Sequence, residues 1–329
     1  MLFSCYSPLI STILIILSAC SPQSTDQTAT NTVGAAASHI ESNVIYASTY
    51  FLKSMVEEIL LHPTDYRVEL IFTPKQDTAS STIDQKRRSQ LQAARLVILN
   101  GAHLESGLAM VNLPLSRTIK TARTLNNDWL NYPDDFQTKA HRHGPSGVHQ
   151  HRGVDGHTWM SPRLLKRQLN VLAEGMKSRG VPYQQARLDQ CRQSLDKIWN
   201  EWQSIRSLLS KRVLVSNHPA YQYLIRDLGI EMRAFDIDPS VAASQEALKM
   251  LSSYLDEVND RSKAKSTSPP MMWWESEPSV QAKSSLRTLG LQHVVVSSLE
   301  KDPSPYISII DALSAQLDTV KGALKLDFP

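Results

Sequence analysis

The chain has 329 residues, 41% of them hydrophobic and 20% charged, with a formal net charge of +3. This is the composition of a globular protein with room for two cores, and it excludes an intrinsically disordered chain. The small net charge, with no basic stripe interleaved with aromatics, argues against nucleic acid as a partner.

The N-terminal stretch MLFSCYSPLISTILIILSAC carries an apolar run, Leu9 to Leu17, that is too short to span a bilayer and ends in small residues. Its close, LSAC, resembles a bacterial lipoprotein signal in which Cys20 becomes the lipidated first residue of the mature chain, although no Lys or Arg precedes the apolar run. An ordinary cleaved signal is the alternative, and both imply export. Residues 21–42 begin small, polar and aperiodic, as a flexible tether does. With the signal ahead of Cys20 removed and Cys20 lipidated, Cys191 is the one remaining thiol, so the fold is expected to rest on its cores and not on disulfides.

From residue 43 the pattern alternates. NVIYAST (43–49), YRVELIF (66–72) and RLVILNG (95–101) read as strands, separated by the helical segments YFLKSMVEEILLH and DQKRRSQLQAA. That order predicts a parallel sheet with helices on its faces. Further on, SPRLLKRQLNVLAEGMKSRG is a helix with Ser161 as N-cap, Pro162 at its first position and Gly180 at its end. A second long helix runs from about Pro182 to Ser210, with Leu188, Cys191, Leu195, Ile198, Trp202, Ile205 and Leu209 on one face. The alternation then repeats through strands RVLVSN, IEMRAFD, MMWWE and QHVVVSS, with helices between them and one at the close. The expected fold is α/β with two lobes, each a parallel-type sheet flanked by helices, joined by a long helix and separated by a cleft. The boundaries are an N-terminal lobe over 43–180, a linking helix over 181–211 and a C-terminal lobe over 212–329.

Ligands of open parallel sheets bind beyond the carboxyl ends of the strands. His218 directly follows the strand VLVSN, Glu275 ends MMWWE, and His157 precedes the helix that opens near Pro162. Each has a bland reading, as a cap, a satisfied polar group or a helix-entrance acid. Together, imidazoles and a carboxylate suit Zn²⁺ or Mn²⁺. Five of the ten histidines fall within residues 141–157. His141 with His143, and His149 with His151, are His-x-His pairs that place two imidazoles on one side of an extended segment. This stretch reads as part of a metal site, as a metal-collecting loop or as a solvated polar loop. HQHRGVDGH has the wrong spacing for the HxHxDH run of metallo-β-lactamase-like hydrolases.

Three further stretches, HTWMSP after Asp155, VSNHPAYQYLIRDLG and ARLVILNGAHLE, together with WWESEP and PYISIIDALSAQL, resemble the metal-specific solute-binding lipoproteins of bacterial ABC transporters, the zinc- and manganese-capturing cluster A-I. The resemblance covers about residues 43–325. It implies a zinc-uptake-like protein that captures Zn²⁺, with Mn²⁺ as the alternative, between its lobes and delivers it to a membrane permease; it is exported to the periplasm, lipid-anchored, monomeric and not an enzyme. By the same resemblance His157 and His218 match two metal ligands. The histidine of the family's D-P-H motif is missing, since Asp77 aligns but Ala79 or its neighbour stands in its place, and Ser298 stands where many members carry a late acidic ligand, with Glu300 and Asp302 close by. Either Glu275 and a loop histidine from His141, His143, His149 and His151 complete the site, the favoured expectation and one shared with a subgroup that has a histidine-rich loop before its HTW motif, or binding is weaker than in the typical member. Neutral imidazoles favour zinc over manganese. A metal chaperone or buffer acting through the loop alone, and a zinc-dependent hydrolase, are the rival functions.

Overall fold

The computed structural model describes residues 43–73, 76–134, 153–261, 268–300 and 308–325, and the backbone of two short segments, 141–142 and 148–149. The expected signal, Cys20 and the tether lie outside these residues.

The N-terminal lobe is built from β1 (Val44–Ala47), α1 (Tyr50–Ile59), β2 (Arg67–Leu70), α2 (Gln85–Ala93), β3 (Leu96–Leu99) and β4 (Thr118–Lys120). Its sheet has the order β2-β1-β3-β4, with every neighbouring pair parallel. Every residue of β1 and β3 is buried, as expected for central strands covered on both faces. α1 presents a broad apolar face, whereas α2 buries only Leu91 and is started by Asp84, whose carboxylate accepts from the Arg87 amide at 2.7 Å. The three-residue β4 is absent from the sequence reading because a run this short carries no periodic signal. The histidine-rich stretch contributes β5 (His141–Arg142) and β6 (Val148–His149), an antiparallel pair that sets His141 opposite His149.

α3 (Pro162–Ser178) and α4 (Gln185–Leu209) follow. Ser161 caps α3 as expected, accepting from the Leu164 amide at 3.4 Å. The C-terminal lobe contains β7 (Leu214–Ser216), α5 (Gln222–Leu228), β8 (Arg233–Ala234), α6 (Gln245–Arg261), β9 (Met271–Trp274), α7 (Val280–Ser285), β10 (Gln292–Val295) and α8 (Ile309–Lys325). Its sheet, β10-β9-β7-β8, is again all parallel. The strand expected over IEMRAFD contracts to two residues at the sheet edge, where only one neighbour holds it.

The seven α4 residues expected on its apolar face are the seven that are buried. They join one continuous core that runs from Ile45 and Phe51 in the first lobe to Trp273 and Leu313 in the second, with the Trp202 and Trp273 rings 5.9 Å apart. α8 packs on α4 and reaches α1, where the Ile309 amide donates to Ser54 Oγ at 2.8 Å. A shared core of this kind resists relative motion of the lobes, because opening it would expose apolar surface at about 25 cal/mol per Å². Among the described residues no helix is long and apolar enough to cross a membrane.

Candidate metal centre

His157 enters the short 3₁₀ turn Thr158–Met160 that leads into α3. Two residues earlier, Asp155 is fully buried, and one carboxylate oxygen accepts from both the His157 amide (2.9 Å) and its ring Nδ1 (2.7 Å). A carboxylate at Nδ1 fixes the tautomer with the proton there, so the Nε2 lone pair is left for a ligand. Asp155 is itself held across the lobes: Gln222 Nε2 donates to its second oxygen at 2.9 Å, and the Tyr223 hydroxyl donates to its carbonyl at 2.7 Å. Gly156 adjoins Leu104, and its carbonyl accepts from Asn100 Nδ2 at 2.8 Å, which ties the turn to the end of β3. The Tyr132 hydroxyl lies 3.5 Å from His157 Nδ1.

His218 and Glu275 approach from the other lobe. His218 follows β7, and its ring centroid is 5.2 Å from that of His157 at an interplanar angle of 80°. Glu275 follows β9, the strand next to β7, and its Oε2 is 3.8 Å from His218 Nε2. Asn217, directly before His218, is the organiser. Its Oδ1 accepts from the Glu275 amide at 2.9 Å, its Nδ2 donates to Glu275 Oε1 at 3.5 Å, and Nδ2 also donates to the Ile237 carbonyl at 3.1 Å. His157 and His218 are buried, and the Glu275 side chain is 13% exposed, so the carboxylate faces the solvent-accessible side.

Burial, the largest single influence on His157, pushes its pKa down. The charge and hydrogen bond of Asp155, with Glu300 and Glu275 behind them, outweigh it and leave the ring above its ordinary 6.5. The site therefore concentrates negative potential around two imidazoles, an arrangement suited to a divalent cation. Among the described residues no group of three or more His, Cys, Asp or Glu side chains is disposed to hold a metal ion. The reason is local. Around Asp77 the chain turns onto itself, with Asp77 Oδ1 accepting from the Ser80 amide and hydroxyl, while the Ala79 carbonyl accepts from Gly107 N and Ser106 Oγ. Neither Asp77 nor Ala79 places an imidazole at the cleft. The Ser298 carbonyl accepts from Trp159 Nε1 at 2.7 Å, and the Glu300 carbonyl from the Tyr50 amide at 3.1 Å. The side chains of His141 and His149, the whole of His143 and His151, and Asp302 lie outside the described residues.

The structure thus brings together His157, His218 and Glu275. Sequence reasoning missed Asn217, Gln222 and Tyr132, and it placed Asp155 only within the D-x-H motif. The Asp-x-His spacing was the one available signal, since a carboxylate two residues before a histidine can reach its ring across a tight turn.

Two parallel α/β lobes on a shared helical spine, with His157, His218 and Glu275 near one another between them, define a two-lobed binding protein. The chain belongs to the periplasmic zinc-uptake complex component A (ZnuA) family, whose model matches residues 45–323. It is a periplasmic zinc-binding component of a metal ABC transporter, and not an enzyme. Among solved structures it is similar to the metal-dependent lipoprotein YcdH of Bacillus subtilis, at 16% identity and a TM-score of 0.65 over 85% of this chain and 98% of that one. The Zn(II)-bound ZnuA-like domain of Streptococcus pneumoniae AdcA is 15% identical, with a TM-score of 0.63 over 86% and 99% of the two chains. The periplasmic zinc-binding protein TroA of Treponema pallidum is 17% identical, with a TM-score of 0.61 over 86% and 99%. At these identities the likeness is one of fold. A comparison with curated proteins found no match.

Proposed function

We propose that His157, His218 and Glu275 are the zinc ligands of this chain and that it hands the captured ion to a membrane permease. The observation that supports this reading is the approach of the His157 and His218 rings, centroids 5.2 Å apart, with Glu275 Oε2 3.8 Å from His218 Nε2 and His157 Nδ1 held by Asp155 so that Nε2 is the ligating atom. Two neutral imidazoles and one carboxylate favour Zn²⁺ over Mn²⁺, which prefers more oxygen. Three donors leave a tetrahedral ion one short. A histidine of the 141–151 stretch fills that position, with His149 and His151 the first candidates ahead of His141 and His143. Export with lipid attachment at Cys20, and action as a monomer, complete the reading.

The test is zinc affinity by competition with a chromophoric chelator for wild type, His157→Ala/His218→Ala, His149→Ala/His151→Ala, and a deletion of 141–151. Loss of the cleft pair is expected to weaken binding by roughly a hundredfold or more, because it removes ligands and not merely their supports. The deletion leaves weakened but measurable cleft binding. An unchanged affinity in His157→Ala/His218→Ala overturns the site, and a deletion that abolishes all binding transfers the function to the loop.

A further inference from the structure

We propose that the N-terminal lobe carries a second binding site, for a small amphipathic organic anion, in a groove over the β3–β4 edge of its sheet. The groove encloses about 550 Å³, within the range of roughly 300–1,000 Å³ that small-molecule sites occupy, and its lining includes none of His157, His218 and Glu275.

Its lining is partly apolar and partly cationic. Leu108, Val111, Leu113 and Leu115 line it, and Leu115 is 83% exposed. Lys120 and Arg123, exposed, line it too, and neither has an ion-pair or hydrogen-bond partner among the described residues. The acids of this region are engaged elsewhere. Glu105 accepts from Ser48 Oγ, Asn100 N and Gly101 N, and Asp128 pairs with Arg167 and Arg226.

Trp129 closes the groove at one end. Its indole Nε1 is buried and has no hydrogen-bond acceptor among the described residues. His103 lies edge-on to the same indole, with ring centroids 5.9 Å apart, and is held there by two consecutive left-handed residues, Ala102 (φ 49°) and His103 (φ 62°). Non-glycine residues occupy that region at a cost, and they cluster where a side chain is being aimed. Two unpaired cations and an apolar wall complement a carboxylate or phosphate head on a hydrocarbon body.

The test is isothermal titration calorimetry of the full chain with octanoate, octyl phosphate and the uncharged octanol. Saturable one-site binding of the two anions, and none of octanol at the same concentrations, is expected. Lys120→Gln/Arg123→Gln, which alters only exposed side chains, weakens the anions by about tenfold or more, the loss of two charge-assisted contacts. His157→Ala/His218→Ala binds them as wild type does, so failure of the metal-site assignment is read separately. The proposal is overturned if neither anion binds, if the double variant is unaffected, or if octanol binds equally well. Co-sedimentation with phosphatidylglycerol but not phosphatidylcholine vesicles, lost in the double variant and without binding of the soluble anions, overturns it in favour of a lipid surface.

Discussion

Asp155→Asn isolates the contribution of the group behind the ligand. The side chain is fully buried, and its oxygen lies 2.7 Å from His157 Nδ1 and 2.9 Å from the His157 amide. Asparagine has the same shape and keeps one acceptor, so the turn can form, but its amide group meets either the ring N–H or Gln222 Nε2, donor against donor. The ring then loses the charge that fixes its tautomer and raises its basicity. Replacing such an outer partner weakens metal binding by about 10- to 100-fold, which corresponds to roughly 1.4–2.8 kcal/mol. Zinc affinity measured by chelator competition near pH 7.5, alongside far-ultraviolet circular dichroism, is the assay. An affinity within about twofold of wild type in a folded variant would refute the reasoning, because it would mean that His157 is not a ligand or that its orientation is set elsewhere. Proton linkage gives the same experiment a second readout. Since the folded-state pKa of His157 lies above 6.5, the metal-free native chain takes up this proton before the unfolded chain does. The resulting stabilisation is fully present below pH 6.5 and is lost as pH rises through the folded-state value. Asp155→Asn leaves burial as the dominant influence on the ring, so this gain on acidification of the metal-free protein is expected to vanish in urea titrations.

Three further outcomes follow from close contacts. A methyl group on Gly156 would lie 2.9 Å from Leu104 Cβ and Cδ1, so Gly156→Ala is expected to cost about 1–3 kcal/mol in urea melts and to weaken zinc binding by moving His157. A methyl group on Gly107 would sit 2.0 Å from the Ser81 carbonyl oxygen; Gly107→Ala is expected to lose at least as much stability while zinc affinity per folded molecule is preserved. Ser161→Ala removes the α3 cap and the Ser161 Oγ donor to Asp227 at 2.5 Å, and a loss of about 1 kcal/mol is expected by thermal or urea denaturation.

The helices and strands were legible because their signals are local. The seven-residue stripe of α4, the continuous apolar runs of β1 and β3, and the Ser161-Pro162 start of α3 each follow from spacing along the chain. The histidine before a helix and the acid after a strand were equally visible, because parallel strands end where ligands bind. What spacing did not contain was convergence. Whether Glu275 meets His218 depends on β9 lying beside β7, and that neighbour relation is made by sheet order, not by sequence order. Asp155 gained its role only when Gln222 and Tyr223, 67 and 68 residues away, closed around it. The Trp129 N–H of the N-terminal groove, unpaired among the described residues, is likewise invisible in a sequence, since being unpaired is a property of everything packed nearby. The sequence by itself determined most of the elements, the α/β class and the candidate donor residues, through periodicity and local chain geometry. The tertiary structure alone decided which donors face one another, because burial and strand order bring distant positions within a few ångströms.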